Sequence, residues 1–363
     1  MFNPSLSHIG VVKENGFVDT SQFISDPEKF TTTRADDGKH VDNFEIGNFE
    51  WWYFDVFDPK VNCMLKLVVH LGTDPLRRKI FPQIAISVGT QSLSKTISIP
   101  GELDAFYAAR DKCDVRINDK FYAFSSGNKY HLTIDTGDFK GEFEFLSQLP
   151  GWKPLGDEVN IAKEKKSAQF GWFIPVPKAL VNGKFELNGK QYILQDALGY
   201  HDHNFWKVGN NKKLYLDDVI SKWYWGRFFD GEYTIIIMDT FFRNASLRSL
   251  LLAKGDTIIH SSNNLISVTV SAKIHDKILK VAYPSRISVK SIGEKFQVKL
   301  TIQSIKVVDR KDLLQGIHPL FTWLIKKIVA KPVYFGLFAQ IKGKIAEQNI
   351  SGTGIYEFMR FRK

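Results

Sequence analysis

Cysteine is scarce in this sequence. Only Cys63 and Cys113 occur among 363 residues, and neither belongs to a CxxC pair or to another zinc-binding spacing. No disulfide framework is implied, so a reducing compartment, the cytoplasm, is expected.

Long apolar runs and cofactor motifs are missing as well. No stretch approaches 18 uncharged apolar residues, and the N-terminal residues lack the basic head and apolar run of a signal peptide. GxGxxG, GxxxxGK[ST], GxSxG and HExxH do not occur. These absences argue against a membrane-spanning helix, a nucleotide cofactor and serine-hydrolase chemistry, and no cofactor is expected.

Aromatic residues are abundant. They make up 13% of the chain, with 29 Phe and 8 Trp. Such an inventory suits a cavity lined with rings that binds a hydrophobic small molecule, and it equally suits a β-rich core.

Positive charge is concentrated near the C-terminus. The net charge is +10, and residues 271–363 carry 18 Lys+Arg against 6 Asp+Glu. The segment Pro319 to Lys331 has the pattern of a short basic amphipathic helix. It predicts either peripheral contact with an anionic membrane or packing on the neighbouring barrel, the second being slightly favoured. Nucleic acid is not an expected partner, because no known binding pattern accompanies the charge.

Short runs of β-branched and aromatic residues, bounded by Gly, Pro, Asn or Asp, recur along the whole chain. They predict an all-β fold of antiparallel strands, in barrels or sandwiches. The pattern occurs twice, which predicts a lead-in segment over 1–44, a first domain over 45–208 and a second over 209–363. Asp230-Gly231 reads as a tight hairpin turn in the second domain.

The stretch "GYHDHNFW", Gly199 to Trp206, supports two interpretations. It can be a reactive cluster beside an apolar pocket, or a hydrogen-bonded turn at the end of the first domain. We expect both, with Asp202 and His203 reaching the pocket and His201 structural. A metal held by the two histidines, with His70 or His131 as a third ligand, is the less favoured alternative, and no metal is expected.

Other candidate side chains follow from strand alternation. In "EWWYFDVFD", Trp51, Tyr53 and Asp55 share one face of a strand. By the same period Arg227 shares a face with Trp223 and Trp225, and it can pair with Asp55 or Asp239 as a buried structural ion pair. Each of these rings, taken singly, is more typical of a core than of a pocket.

The motifs "FEWWYFDVFD" and "DALGYHDHNFW" together resemble the paired signatures of the carotenoid 1,2-hydratase (hydroxyneurosporene synthase) family. Its lipocalin-like relatives include decalin-forming Diels–Alderases and hydratases of prenylated isoflavonoids. "KWYWGRFFDGEYTIIIMDT" resembles the strand pair that opens the second domain there. The resemblance implies two tandem lipocalin-like antiparallel β-barrels, with an isoprenoid or polyene-like ligand in or between them.

The resemblance also implies, by position, roles in water addition for His203 and Phe205. The family's stretch reads G-Y-H-D-H-N-W-G. Phe205 therefore replaces a tryptophan and lacks its indole N–H donor, and Trp206 follows where the family has glycine.

Hydration of a C=C bond needs a proton donor, a way to stabilise a carbocation and a base that activates water. The candidate catalytic residues are Asp202, His203 and Asp239. The candidate substrate-binding residues are Trp51, Tyr53, Asp55, Phe205, Trp223, Trp225 and Tyr233. The sequence thus predicts a cofactor-independent hydratase or cyclase. A pericyclase that only orients its substrate and a non-catalytic carrier remain open.

Overall fold

The computed structural model describes residues 30–42, 45–60, 63–74, 79–89, 94–163, 165–209, 214–242, 246–263, 265–291, 297–313 and 332–361. Two curled antiparallel sheets, each a half-barrel, confirm the all-β prediction. Helix in these ranges is confined to α1, Leu216–Val219, and to 3-10 turns at Ala35–Asp37 and Leu103–Ala105. None of it is long and apolar enough to span a membrane. The basic helix predicted at Pro319 to Lys331 lies outside the described residues.

The first sheet has twelve strands in the order β4-β3-β2-β1-β12-β11-β9-β8-β7-β6-β5, with β10 pairing to β11. Their bounds are β1 Phe49–Asp58, β2 Cys63–Asp74, β3 Lys79–Gly89, β4 Ser94–Pro100, β5 Phe106–Ala108, β6 Asp114–Ile117, β7 Phe121–Ser126, β8 Lys129–Asp135, β9 Phe139–Ser147, β10 Val159–Lys163, β11 Lys166–Leu187 and β12 Lys190–Val208. Neighbouring strands of this sheet are mostly close in the chain, as the recurrent turn signals predict.

The second sheet has nine strands in the order β16-β15-β14-β13-β21-β20-β19-β18-β17. Their bounds are β13 Ile220–Asp230, β14 Tyr233–Phe242, β15 Ser246–Lys254, β16 Thr257–Asn263, β17 Ile266–Asp276, β18 Val281–Ser291, β19 Val298–Asp312, β20 Val333–Ile345 and β21 Gln348–Arg360. The predicted hairpin is confirmed, because Asp230 pairs with Tyr233 and Gly231 takes the positive φ of 54° that a tight turn favours.

Strand alternation divides most of the apolar core of the described residues into three large clusters. One fills the interior of the first sheet and includes Trp52 and Phe54, and another fills the interior of the second. A third joins the two sheets and contains Tyr53 of β1 together with Trp223 and Trp225 of β13. Successive residues of β1 therefore belong to different clusters, and the odd-numbered face meets the second sheet.

The interpretation of "GYHDHNFW" as a turn is wrong, because all eight residues lie inside strand β12. Gly199 is needed for close packing instead, since a Cβ there would lie 2.3 Å from Val181 Cγ2. The neighbouring strand β11 is irregular instead, because its pairing with β12 shifts register between Phe173 and Ala179. Pro175 and Pro177 fall in that segment, and neither can donate a backbone hydrogen bond to the ladder.

Candidate active site between the two sheets

The two faces of β12 carry different chemistry. Asp202 lies directly opposite Tyr53 of β1, and Tyr200 lies opposite Asp55. Because paired residues share a face, these four side chains project between the two sheets. The intervening histidines project into the interior of the first sheet.

His203 is bonded on both sides of its ring. Its Nδ1 lies 2.9 Å from the carbonyl oxygen of Asp36, and its Nε2 lies 3.0 Å from Glu50 Oε1. Phe205 projects to the same side and stacks on His40, with ring centroids 4.4 Å apart. The structure thus places His203 and Phe205 inside the first sheet, on the face opposite to Asp202.

His201 is held in the same manner. Its Nδ1 lies 2.9 Å from the carbonyl oxygen of Tyr53, and its Nε2 lies 2.9 Å from Asp37 Oδ1. Tyr130 donates to the other oxygen of Asp37 at 2.9 Å. The two histidines therefore bind residues 36 and 37 of the lead-in segment to the sheet, which is a structural task.

One group of side chains offers a donor set for a metal. Ligand atoms of Asp37, Cys113 and His201 all lie within 4.8 Å of one another. They could hold an ion only by giving up the hydrogen bonds just described. The third ligands considered from the sequence lie elsewhere, since His70 sits opposite Trp51 between the sheets and His131 lies near the surface beside Glu144.

Asp202 accepts hydrogen bonds from neutral donors. Tyr200 donates its hydroxyl to Oδ2 at 2.8 Å, Trp172 donates Nε1–H to the same oxygen at 3.3 Å, and Asn204 donates to Oδ1 at 2.8 Å. Burial raises the pKa of Asp202 well above its ordinary value. The hydrogen bonds from Tyr200 and Trp172 oppose that rise, and the charge of Glu357 adds to it. Among the described residues no Lys, Arg or His forms an ion pair with Asp202, so its neutral acid form is favoured.

A second carboxyl, Glu357 of β21, faces Asp202 from the other sheet. It accepts a hydrogen bond from Tyr53 at 3.2 Å and another from Tyr334. Burial raises the pKa of Glu357, whereas the charge of Lys66 and both tyrosine hydroxyls oppose that rise. Glu357 is therefore better supported as a carboxylate than Asp202 is.

Two buried ion pairs join the sheets on either side of these acids. Arg227 donates to Asp55, although burial still raises the pKa of Asp55 to about 7. Lys66 donates to Asp309 at 2.6 Å. Burial alone would raise the pKa of Asp309, but the charges of Lys66 and Lys311 lower it.

Exposure separates the two acids from the Arg227–Asp55 pair. Asp202 is 5% exposed and Glu357 9%, whereas Asp55 and Arg227 are 0% exposed. A small part of each acid is therefore accessible to solvent, whereas that ion pair is fully enclosed. Among the residues between the sheets, a similar small exposure is found for Tyr53, Lys66, Trp172, Trp223 and Tyr334.

Aromatic rings from both sheets lie close together near these acids. Trp51 lies 6.5 Å from Trp223 between ring centroids, and Tyr53 lies 6.1 Å from Trp225. Tyr200 lies 5.0 Å from the ring of Trp225. The indole Nε1 of Trp225 is buried without a hydrogen-bond partner among the described residues. The rings singled out from β1 and β13 are thus brought together.

Two other predicted residues are not part of this group. Asp239 lies opposite Tyr224, whose ring belongs to the interior cluster of the second sheet. Arg248 donates to it at 3.4 Å, and burial raises the pKa of Asp239 to about 7. Tyr233 packs against the same interior cluster.

Sequence reasoning missed Glu357, Lys66 and Tyr334. A signal was present for the first two, since each charge interrupts an apolar strand, in "GIYEFMRF" and "CMLKLVVHLG". A charged residue inside such a run needs a buried partner. Tyr334 carries no comparable signal.

No family model matches this chain. A hydroxyneurosporene dehydrogenase from Chlorobaculum tepidum is 31% identical over 275 residues, which is 65% of this chain and 70% of that protein.

Similar solved structures include CghA with Sch210972, with a TM-score of 0.60 and 12% identity over 92% of this chain and 97% of that one. Kievitone hydratase from Nectria haematococca has a TM-score of 0.57 and 12% identity, over 92% and 98%. A putative AttH from Nitrosomonas europaea has a TM-score of 0.61 and 14% identity, over 89% and 95%. These structures share the fold alone. The Chlorobaculum relative, together with the paired motifs, shows that the chain belongs to the carotenoid 1,2-hydratase (hydroxyneurosporene synthase) family.

Proposed function

We propose that this protein is an enzyme that protonates a C=C bond of a hydrophobic isoprenoid or polyene-like molecule, and so hydrates or cyclises it. The observation that carries the proposal is Asp202. It is a buried acid without a cationic partner in the described chain, it keeps 5% exposure, and the charge of a second carboxyl, Glu357 of the other sheet, raises its pKa further. Kievitone hydratase is named for a hydration, and the Chlorobaculum relative for hydroxyneurosporene; both names support this substrate class.

The number of buried charged groups supports the view that one carboxyl between the sheets stays protonated. In the described part of the chain, four carboxyls and three cations meet between the sheets, namely Asp55, Asp202, Asp309 and Glu357 with Lys66, Arg227 and Lys311. A buried layer avoids an unbalanced charge, so one carboxyl keeps its proton. Asp202 is the best candidate, because its direct partners are all neutral.

Asp202 would act as the general acid. It transfers its proton to one alkene carbon, the π electrons form the new C–H bond, and a carbocation is left on the other carbon. The faces of Trp172 and Trp225 and the ring of Tyr200 stabilise that cation through their quadrupoles. A neutral carboxylic acid near physiological pH is suited to this task.

Glu357 would complete the reaction as the base. Water attacks the cation and gives up a proton to the Glu357 carboxylate, so the net change is alkene plus water to alcohol. If a second C=C bond of the same molecule attacks instead, a ring forms and Glu357 removes a proton from carbon. Return of one proton from Glu357 to Asp202 restores the starting state in both cases.

Isotope labels test this proposal directly. The protein is incubated with lycopene in D₂O and separately in H₂¹⁸O, and the products are analysed by mass spectrometry. Deuterium on carbon with ¹⁸O in the product indicates hydration, and deuterium without ¹⁸O indicates proton-initiated cyclisation. Bound but unchanged lycopene indicates a carrier, and a product with two hydrogens fewer indicates the oxidation that the relative's name denotes; either overturns the proposal.

Matched variants assign the label to the proposed groups. Asp202→Asn and Glu357→Gln should each abolish deuterium incorporation while lycopene still binds. Asp196→Asn changes an exposed aspartate of the same strand, β12, and should leave incorporation unchanged. Equal losses in all three variants would contradict the assignment.

The substrate class also implies peripheral contact with a membrane, because such molecules reside in the bilayer. The described part of the basic C-terminal region offers a docking element at the turn between β17 and β18. Ile278 at this turn is 68% exposed and lies between the exposed residues Lys277 and Lys280. An exposed apolar tip flanked by lysines suits an anionic bilayer surface.

A further inference from the structure

Lys311 lies at the margin of the layer between the sheets. A row of paired residues runs from this lysine across four neighbouring strands. Lys311 of β19 pairs with Tyr334 of β20, Tyr334 pairs with Met359 of β21, and Met359 pairs with Trp223 of β13. Residues paired in this way share a face, so the lysine faces the same aromatic layer as the candidate site. Its side chain is 33% exposed, and a ligand that reaches this layer can therefore reach its amine.

Two lysines approach one carboxylate at this margin. Lys66 donates to Asp309 at 2.6 Å and to Tyr334 at 2.8 Å, and Ser87 donates to the same oxygen of Asp309 at 2.9 Å. Lys311 Nζ lies 4.0 Å from that oxygen, beyond hydrogen-bonding distance. Lys66 thus forms the close ion pair with Asp309, and Lys311 lies beside that pair.

This arrangement leaves Lys311 a readily neutralised amine. Burial and then the charge of Lys66 lower the pKa of Lys311 to about 8. His70, which lies opposite Trp51, has a pKa lowered to about 4 by burial and then by the charge of Lys311. A neutral imidazole and a carboxylate are thus available for proton transfer at an amine that is partly neutral near pH 7.

We propose that Lys311 binds the carbonyl end of a hydrophobic aldehyde or ketone as a reversible imine. The amine nitrogen attacks the carbonyl carbon to give a carbinolamine. The carbinolamine expels its oxygen as water, using the two hydrogens that leave nitrogen, and a C=N bond forms. The inference shares with the proposed function only the location of the ligand between the sheets, and it does not depend on proton transfer from Asp202.

Borohydride trapping tests the inference. The full chain is incubated with all-trans-retinal at pH 7, the imine is reduced with sodium borohydride, and the adduct is located by peptide mapping. Labelling at Lys311 should exceed labelling at Lys306, an exposed lysine of the same strand, by at least about tenfold, because an ordinary lysine is almost fully protonated at this pH. Retinol, which has no carbonyl group, should leave no adduct.

Two conservative variants provide the controls. Lys311→Arg keeps the positive charge but forms no imine, and it should remove the main adduct with an unchanged melting temperature. Lys306→Arg should leave the adduct yield unaltered. Adducts spread over the exposed lysines, an undiminished yield in Lys311→Arg, or no adduct at all would each overturn the inference. Asp202→Asn should keep full trapping, so failure of the proposed function would be seen separately.

Discussion

Neighbouring residues of β12 have opposite environments. His201 and His203 are fully buried, and each lies between a carboxylate and a backbone carbonyl. Asp202, between them in the chain, faces the other sheet, has neutral donors as its direct partners and keeps a small exposed fraction. Polar groups with charged partners thus hold the lead-in segment in place, and the acid without one is left able to exchange a proton.

The difference also concerns what removal of each group would leave behind. Loss of a histidine removes a buried side-chain partner of Asp37 or Glu50, and breaking a buried pair of this kind is costly. Loss of the Asp202 carboxyl leaves only neutral hydrogen-bond donors without their acceptor. The amide oxygen of an asparagine at this position can accept from them instead. We therefore expect substitutions of the histidines to lower mainly stability, and substitution of Asp202 to lower mainly turnover.

The largest effect is expected for Asp202→Asn. An amide is close to a carboxylic acid in size and can accept the hydrogen bonds of Tyr200 and Trp172, but it cannot supply a proton. We expect kcat to fall by about 10²–10⁴, the usual contribution of a general acid, with thermal unfolding little changed. Turnover and melting temperature, measured on the same preparation, check this. If the variant kept its turnover, Asp202 would not be the general acid, and its difference from the two histidines would have no functional consequence.

His203→Ala should act mainly on stability. It leaves Glu50 with only the backbone N–H groups of His40 and Val41 as donors, and breaking a buried pair of this kind costs up to about 3–5 kcal/mol in the free energy of unfolding. Addition of Glu50→Gln should recover part of that loss, because the unpaired charge is then gone. Denaturant unfolding and kcat of the folded fraction are the measurements. Lost turnover with unchanged stability would instead support the role in water addition that the family resemblance implies for His203.

Asp239 serves as a reference for Asp202, because it is also a buried acid but lies inside the second sheet, away from the candidate site. Its folded-state pKa of about 7 exceeds the unfolded value, so between about pH 4 and 7 the folded chain binds more protons than the unfolded chain. Stability should therefore fall as the pH rises through this window. Asp239→Asn should match the wild type near pH 4 and be more stable by about 1–3 kcal/mol at pH 7.5. Denaturant unfolding at both pH values checks this, and parallel curves would contradict it.

The smallest effect is expected at the membrane surface. Ile278→Ser should weaken sedimentation with vesicles of phosphatidylcholine and phosphatidylglycerol by roughly tenfold, since burying such a side chain is worth ~1–2 kcal/mol. Ile193→Ser changes an isoleucine of β12 that is 62% exposed, and it should have no effect. Binding should also fall with added salt. If both variants bound the vesicles equally well, the turn that carries Ile278 would not be the membrane-contacting surface.

Strand alternation and the paired motifs predicted much of this architecture. The two-residue period correctly placed Trp51, Tyr53 and Asp55 on one face, and it placed Arg227 with Trp223 and Trp225. A tight turn at Asp230-Gly231 was also predictable, because glycine favours positive φ. These features depend on residues that are close in sequence.

The remaining features depend on which faces meet. Alternation shows that His203 and Asp202 lie on opposite faces of a strand, but it does not show which face meets the second sheet. Asp239 and Tyr233 were grouped with the site although their face turns inward. Glu357 reaches the site through Tyr53, a partner 304 positions away, and no local pattern records such a contact.

The contacts that join the sheets also determine when the candidate site can form. Asp55 and Arg227 are 172 positions apart, and Lys66 and Asp309 are 243 apart. Closing such long loops is slow compared with forming hairpins within either sheet. The proposed acid and base thus face each other only after both sheets have folded and docked, so the proposed chemistry depends on the contacts between the sheets as much as on the two carboxyls themselves.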